Sequence, residues 1–297
     1  MGDGALVIST GAATLLVLII LAVIVGDVVQ HGAPRFSWEF LSTAPSQGMT
    51  AGGVFPAIFG TVALVILMTI AVVPAGVATA IYIHEYADRE SSLTRLIRIA
   101  INNLAGVPSI VFGLFGLGFF IQFVGVGIDR TLFSGHKVFG QPALIWAALT
   151  MAVLTLPVVI VATEEALRAV PRELREASLA LGATRFQTVI KVVLPQATAG
   201  ILTGTILAIS RGAGEVAPIL FTGAAYYLPQ LPWQPQNQFM HLGYHVYVLA
   251  TQSPDVDAGK PILYATVLVL LVVTFVLNLS AFVVRSRMRH RFAGANS

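Results

Sequence analysis

Pro142-Ala143-Leu144-Ile145-Trp146-Ala147-Ala148-Leu149-Thr150-Met151-Ala152-Val153-Leu154-Thr155-Leu156-Pro157-Val158-Val159-Ile160-Val161-Ala162-Thr163, followed at once by Glu164-Glu165, is the stretch from which the fold can be read. No formal charge interrupts it. At about 1.5 Å per residue, a helix of this length crosses a hydrocarbon core of about 30 Å. Further apolar runs lie at Ala5–Val29, Phe55–Ile83, Ile99–Val126, Gln196–Thr222 and Pro261–Val284, and Arg211 and Glu215 interrupt only the run that begins at Gln196. The expected fold is all-α, a polytopic membrane protein with six transmembrane helices in a single domain spanning 1–297.

The composition points the same way. Of 297 residues, 17 are Lys or Arg, 14 are Asp or Glu, and none is Cys. Hydrophobic residues reach 56% and charged ones only 10%, against roughly 45–50% and about 25% in ordinary soluble domains. Too few charges are present to cover a soluble globule, and too many apolar residues for a disordered chain. The missing cysteines exclude disulfide scaffolds, thiolate metal sites and thiol catalysis. The first run is expected to span rather than be cleaved, being longer than a leader's apolar core and having no Lys or Arg before it. No internal repeat or low-complexity tract is evident.

Between the last two runs, Gly223–Lys260 reads as an extramembrane loop with a short helix around Met240–Ala250. The prolines of Leu228-Pro229-Gln230-Leu231-Pro232-Trp233-Gln234-Pro235 remove too many backbone donors for a seventh span. Orientation follows from basic residues. Twelve of the 17 fall on one side: Arg89, Arg95, Arg98, Arg168, Arg172, Arg175, Arg185, Lys191, Arg285, Arg287, Arg289 and Arg291. Four (Arg35, Arg130, Lys137 and Lys260) fall on the other, and Arg211 lies within a span. That distribution places both termini in the cytoplasm of a plasma (inner) membrane protein, and the Arg285–Arg291 cluster reads as an anchor at the anionic inner leaflet. Pro74, Pro108 and Pro157 interrupt apolar runs, as do Gly113, Gly116, Gly118 and Gly125. They fit close helix approach, or breaks around a translocation path.

The cytoplasmic loop 164–194 holds the most informative residues. Pro171 suits a first helical position, Glu173 the positive helix end, and Gly182 a C′ stop. Leu174, Ala177, Ser178 and Leu181 recur at helical spacing, so a small apolar face opposes a charged one. Such a helix needs a bilayer surface, the protein's own body or a partner groove for that face. Within the fifth span, Arg211 and Glu215 are four residues apart and would share one helix face, past the membrane midplane. An Arg at that depth demands a partner. Two readings stand: a mutually neutralising structural pair, or a cationic station for an anion held in place by the carboxylate. His241 and His245, with Asp255 and Asp257 nearby, lack further metal-type spacing, so no metal site is expected. Lys137, Lys191 and Lys260 are the only lysines, and none sits in a Walker A loop. Gly212-Ala213-Gly214-Glu215-Val216-Ala217 lacks the preceding strand of a dinucleotide site. No nucleophile–base set suggests catalysis, so neither an enzyme nor a bound cofactor is expected.

Glu176-Ala177-Ser178, Gly182, Val192 and Leu194-Pro195 fall at the spacing of the E-A-A-x3-G-x9-I-x-L-P loop and resemble that of binding-protein-dependent ABC importer permeases, departing at Ser178 and Val192. Gly53–Thr61, Tyr82–Ala87, Leu104–Leu114, Ala217–Ala224 and Tyr244–Ser253 resemble the PstA-type permeases of phosphate importers. Gly212 and Val216 depart from that family's S-R-A-x-G-E-T-A-P. The resemblance implies a type I ABC importer permease fold. It also implies a coupling helix at 171–182 that seats in an ATPase cleft through Leu174, Glu176, Ala177, Leu181 and Gly182. The implied partners are a C-type second permease in a heterodimer, a pair of ATP-binding subunits, an extracytoplasmic phosphate-binding protein, and membrane lipid. Arg211 and Glu215 would then line the path of phosphate. The rival readings are an importer for sulfate or molybdate and an ATP-independent anion channel. A channel has no use for the coupling loop.

Overall fold

Apolar runs continue as helices until a proline, a glycine or a charge cluster stops them. The computed structural model describes residues 2–49, 51–88, 90–252 and 256–293. α1 (Gly2–Gly32) leads to α2 (Trp38–Ser42), whose N-terminus is capped by the Ser37 side chain. A small antiparallel pair follows, β1 (Pro45–Ser46) and β2 (Ala51–Gly52), with Pro45 opposite Gly52. α3 (Phe55–Ile81) runs on into a π-helical turn, Tyr82–Tyr86. α4 (Ser92–Leu104) is separate, whereas α5 (Ser109–Phe115) continues through the π-helical Gly116–Gly125 into α6 (Val126–Leu132). α7 (Leu144–Arg168), α8 (Arg172–Ala180) and α9 (Arg185–Thr188) come next. A third π-helical segment, Val189–Val193, joins α9 to α10 (Leu194–Gly214). α11 (Ile219–Thr222), α12 (Leu242–Thr251) and α13 (Val256–Ala293) complete the order.

Among the described residues, six helices are long and apolar enough to cross a membrane: Gly4–Arg35, Phe55–Tyr86, Ser109–Leu132, Leu144–Arg168, Arg185–Gly214 and Gly259–Arg287. α7 is the central one, packed between α3 and α10 around Leu64, Met68, Val72, Met151, Val159 and Ala208. Small residues permit that approach, since a Cβ on Gly204 would run into Ala162 and one on Gly76 into Val159. A second core joins α12 and α13 to α2 and the start of α3 through Phe40, Val54, Ala57, Leu242 and Ile262. α1 packs on α13 and otherwise exposes its apolar residues, as a lipid-facing helix does. The two ends of the bundle differ. At one, Leu144 and Ile145 donate to the Asn237 and Pro235 carbonyls of the segment between α11 and α12. At the other, α8 packs on α9 and the π-helical Val189–Val193, and its Arg175 side chain reaches Glu85 and the Leu167 and Val170 carbonyls.

Several expected boundaries move. The third span starts at Ser109 instead of Ile99, because Pro108 opens the segment and leaves 99–104 inside α4. The fifth starts at Arg185 and its helix stops at Gly214, short of Thr222, because Glu215 is extended (φ −79°, ψ 132°) and Pro218 follows. The 164–194 loop shrinks accordingly, since Glu164–Arg168 completes α7 and Arg185–Leu194 belongs to the fifth span. Gly113, Gly116 and Gly125 are sites of close approach, against Phe221, Thr150 and the Phe139 carbonyl respectively, while Gly118 faces open space.

Candidate functional site

α8 is set by its ends. Pro171 is the N-cap residue, one position before the expected one, and Glu173 occupies the first turn. At the other end Gly182 has φ +85°, and two backbone bonds close the turn: Gly182 N–H to the Leu179 carbonyl at 3.0 Å and Ala183 N–H to the Ser178 carbonyl at 3.2 Å. This is the Schellman arrangement, in which a glycine takes the left-handed position without a Cβ penalty. The next helix starts at once on Thr184, whose side chain and that of Gln187 form a reciprocal capping box.

Leu174, Glu176, Ala177, Leu181 and Gly182 are all exposed, Leu181 by 89%. Leu179 and, on α9, Phe186 join them, so α8 and α9 together expose several large apolar side chains. Ser178 does not belong to that face as its spacing suggested. It turns inward, with its Oγ 2.9 Å from Thr188 Oγ1. Arg175, which counting by charge would place outside, also points in and donates to Glu85 at 3.0 Å and to the carbonyls of Leu167 and Val170 at 2.7 and 2.6 Å. Beside it a second ion pair, Arg98 to Glu164 at 2.9 Å, ties α4 to α7. A cleft of about 260 Å³ opens there, lined by Arg98, Asn102, Glu164, Glu165 and Arg168.

The second site is the end of α10. Arg211 Nε lies 3.5 Å from Glu215 Oε1, so the two are brought together, although the helix that was to carry both ends between them. Arg211 occupies the last turn, where the unpaired carbonyls favour a cation. Its side chain stays 41% exposed and Glu215's 24%. The neighbouring residues fix that direction. Gly212 faces the core, where a Cβ would come within 2.5 Å of Met68 Sδ, and Ser210 donates to Asn278 of α13 at 2.5 Å. Val216 packs over Gly243, whose added Cβ would sit 2.8 Å from it. Both departures from the S-R-A-x-G-E-T-A-P pattern therefore have packing partners.

His241 and His245 are buried beneath this break, and His241 Nδ1 and Nε2 and His245 Nδ1 have no hydrogen-bond partner among the described residues. Burial pushes both imidazoles down to about 4, so they are neutral near pH 7. Among the described residues, no three His, Asp, Glu or Cys side chains group as metal ligands. Asp255 and the Asp257 side chain, named with them above, lie outside the described residues, as do Arg89 and the side chains of Arg289 and Arg291. The clusters that sequence reasoning missed are Arg175–Glu85 and Arg98–Glu164. Their signal was slight: each is a charge pair far apart in sequence.

Residues 72–290 match the family described as binding-protein-dependent transport system inner membrane component. The probable ABC transporter permease protein YqgI of Bacillus subtilis is 34% identical over 88% of this chain and 91% of its own. The phosphate transport system permease protein PstA 1 of Mycobacterium tuberculosis is 36% identical over 79% and 71%. The probable phosphate transport system permease protein PstA of Methanocaldococcus jannaschii is 32% identical over 83% and 81%. Among solved structures, a bacterial alginate ABC transporter matches with TM-score 0.68, 17% identity, and coverage of 94% of this chain and 93% of that one. The MetNI methionine transporter in an inward-facing form matches at 0.56, with 18% identity over 80% and 94%. These likenesses show the fold, an ABC importer permease of six spans.

Proposed function

The chain belongs to the binding-protein-dependent transport system inner membrane component family, and from that membership we propose that it is the A-type membrane subunit of an ATP-driven importer of inorganic phosphate. It forms the translocation path as a heterodimer with a C-type permease and receives phosphate from an extracytoplasmic binding protein. A pair of ATP-binding subunits drives it from the cytoplasmic side. The α8 end faces the cytoplasm, with both termini, in keeping with the twelve basic residues on that side. ATP-dependent closure of the ATPases is passed through α8, whose exposed Leu174, Ala177 and Leu181 seat in their cleft, with Glu176 exposed among them and Gly182 just past the helix end. The relatives named as phosphate permeases support the substrate.

The single observation that carries the reading is the Arg211–Glu215 pair. A guanidinium in a membrane-spanning helix, held by one carboxylate and still open on its other side, is a station for an anion. At rest Glu215 neutralises it. An entering phosphate presents oxygens that the guanidinium fork can hold in a bidentate way, which loosens Glu215, and departure restores the pair. The test is uptake of labelled phosphate in cells with the chain deleted and then restored. Restoration of phosphate uptake is the expected result. Loss and recovery of sulfate or molybdate uptake instead would overturn the substrate, and uptake independent of ATP would overturn the class.

A further inference from the structure

We propose that Arg175 and Glu85 are positioning residues for coupling, a strut that makes α8 and the end of the second span move as one body. This rests on the reading of α8 as the ATPase-docking helix and names how motion leaves it. α8 is joined to the bundle by short connections, 169–171 before it and 181–184 after it. A helix held only by such loops could be pushed without moving the spans. Two inward side chains prevent that. Arg175 donates to the Leu167 and Val170 carbonyls at and just beyond the end of α7, and to Glu85 in the π-helical turn that ends the second span. One turn further, Ser178 meets Thr188 in the first turn of the fifth span, just before its π-helical segment. The guanidinium is 17% exposed and the carboxylate 13%, so solvent screens their attraction far less than that of an open surface pair.

The geometry divides the labour on one helix. Outward residues meet the partner, while Arg175 and Ser178 hold three spans. The turns at Tyr82–Tyr86 and Val189–Val193 depart from the regular α-helical ladder, and π-helical turns of this kind recur at functional sites. α3 and α10, which adjoin these turns, both pack against α7, and Arg211 lies in the last turn of α10. Motion entering at Arg175 thus has a continuous helical path to the anion station, along roughly 27 Å of α10.

The test uses the complete transporter reconstituted in proteoliposomes, with ATP hydrolysis and phosphate uptake measured together and ATPase retention measured by co-purification. Glu85→Gln keeps the shape of the turn and leaves the bonds from Arg175 to α7 in place. It should retain the ATPase and hydrolyse ATP while uptake per ATP falls at least five-fold. Arg175→Lys, which keeps the charge but not the fork, should fall further. Unchanged uptake per ATP in Glu85→Gln, or loss of the ATPase from it, overturns the strut: the pair then either does nothing or only shapes the docking surface. Leu181→Asp separates the two ideas. If that chain still holds the ATPase, α8 is not the docking helix and the strut goes with it. If it loses the ATPase while Glu85→Gln stays fully coupled, docking stands and the strut alone fails.

Discussion

Arg211 shows how much a single side chain can demand of its surroundings. Its helix ends three residues later, its neighbour Gly212 is pressed against Met68, and its charge is met by Glu215 from beyond the break. Replacement by Lys keeps the charge and removes the fork. Loss of a charge-assisted contact of about 1.5–3 kcal/mol predicts a fall in phosphate uptake of more than about ten-fold in Arg211→Lys and near-abolition in Arg211→Gln. The Arg211→Gln, Glu215→Gln double variant separates station from structural pair. Normal membrane levels without uptake are expected, whereas recovery of uptake would mean that the two charges only neutralise each other. The buried histidines give a second prediction. Their folded values of about 4 lie below the ordinary 6.5, so below pH 6.5 the unfolded chain binds protons that the folded chain refuses. The stability they permit is complete above pH 6.5 and declines between pH 6.5 and 4, by at most about 1.4 kcal/mol per pH unit for each ring. Thermal midpoints of the purified protein should drop between pH 7 and 5, and His241→Phe should flatten that slope. An equal slope in the variant would show that other groups dominate.

At the scale of the element, α8 depends on the glycine just past its end. No atom lies within 4 Å of a Cβ placed on Gly182, so space is not the constraint; the φ of +85° is. A β-branched residue there is strained by about 1–2 kcal/mol or takes another conformation. Gly182→Val should insert normally yet lose most ATPase co-purification and uptake, while Gly182→Asn, which tolerates the left-handed region, should keep much of both. Val indistinguishable from wild type would remove the capping argument. The ends of α8 were legible because Pro171 and Gly182 act locally, through their own backbone. The ends of the third and fifth spans were not, because an apolar count says where a chain can enter lipid and nothing of where its ladder breaks. Pro108, and the extended Glu215 with Pro218 after it, decided that. Arg175 was illegible for a related reason. Charge alone puts an arginine outside, and only the carbonyls at the end of α7 and Glu85, ninety residues away, bring it in.

For the whole molecule, sidedness is tested by single cysteines. The chain has no Cys, so single cysteines report cleanly. Leu181→Cys on α8 and Gln234→Cys between α11 and α12 are both exposed positions at opposite ends of the bundle. An impermeant maleimide added outside should label Gln234→Cys in intact cells and reach Leu181→Cys only after lysis. Labelling of both from outside would overturn the topology. The count of spans was readable from composition and run length, since helices are the economical way to satisfy backbone groups in lipid. Their arrangement was not, because an apolar side chain facing lipid and one facing another helix look alike in sequence. The contact of α1 with α13 has a consequence for biogenesis. The first of the six spans to leave the ribosome meets its main neighbour only when the last has been made. Until then α1 waits in the bilayer alone, which its uncharged core allows. Gly32 is the clasp, since a Cβ there would run into the Tyr264 backbone. Gly32→Leu should therefore insert on schedule but never finish assembling, and a pulse-chase should find the full-length chain degraded faster than its parent.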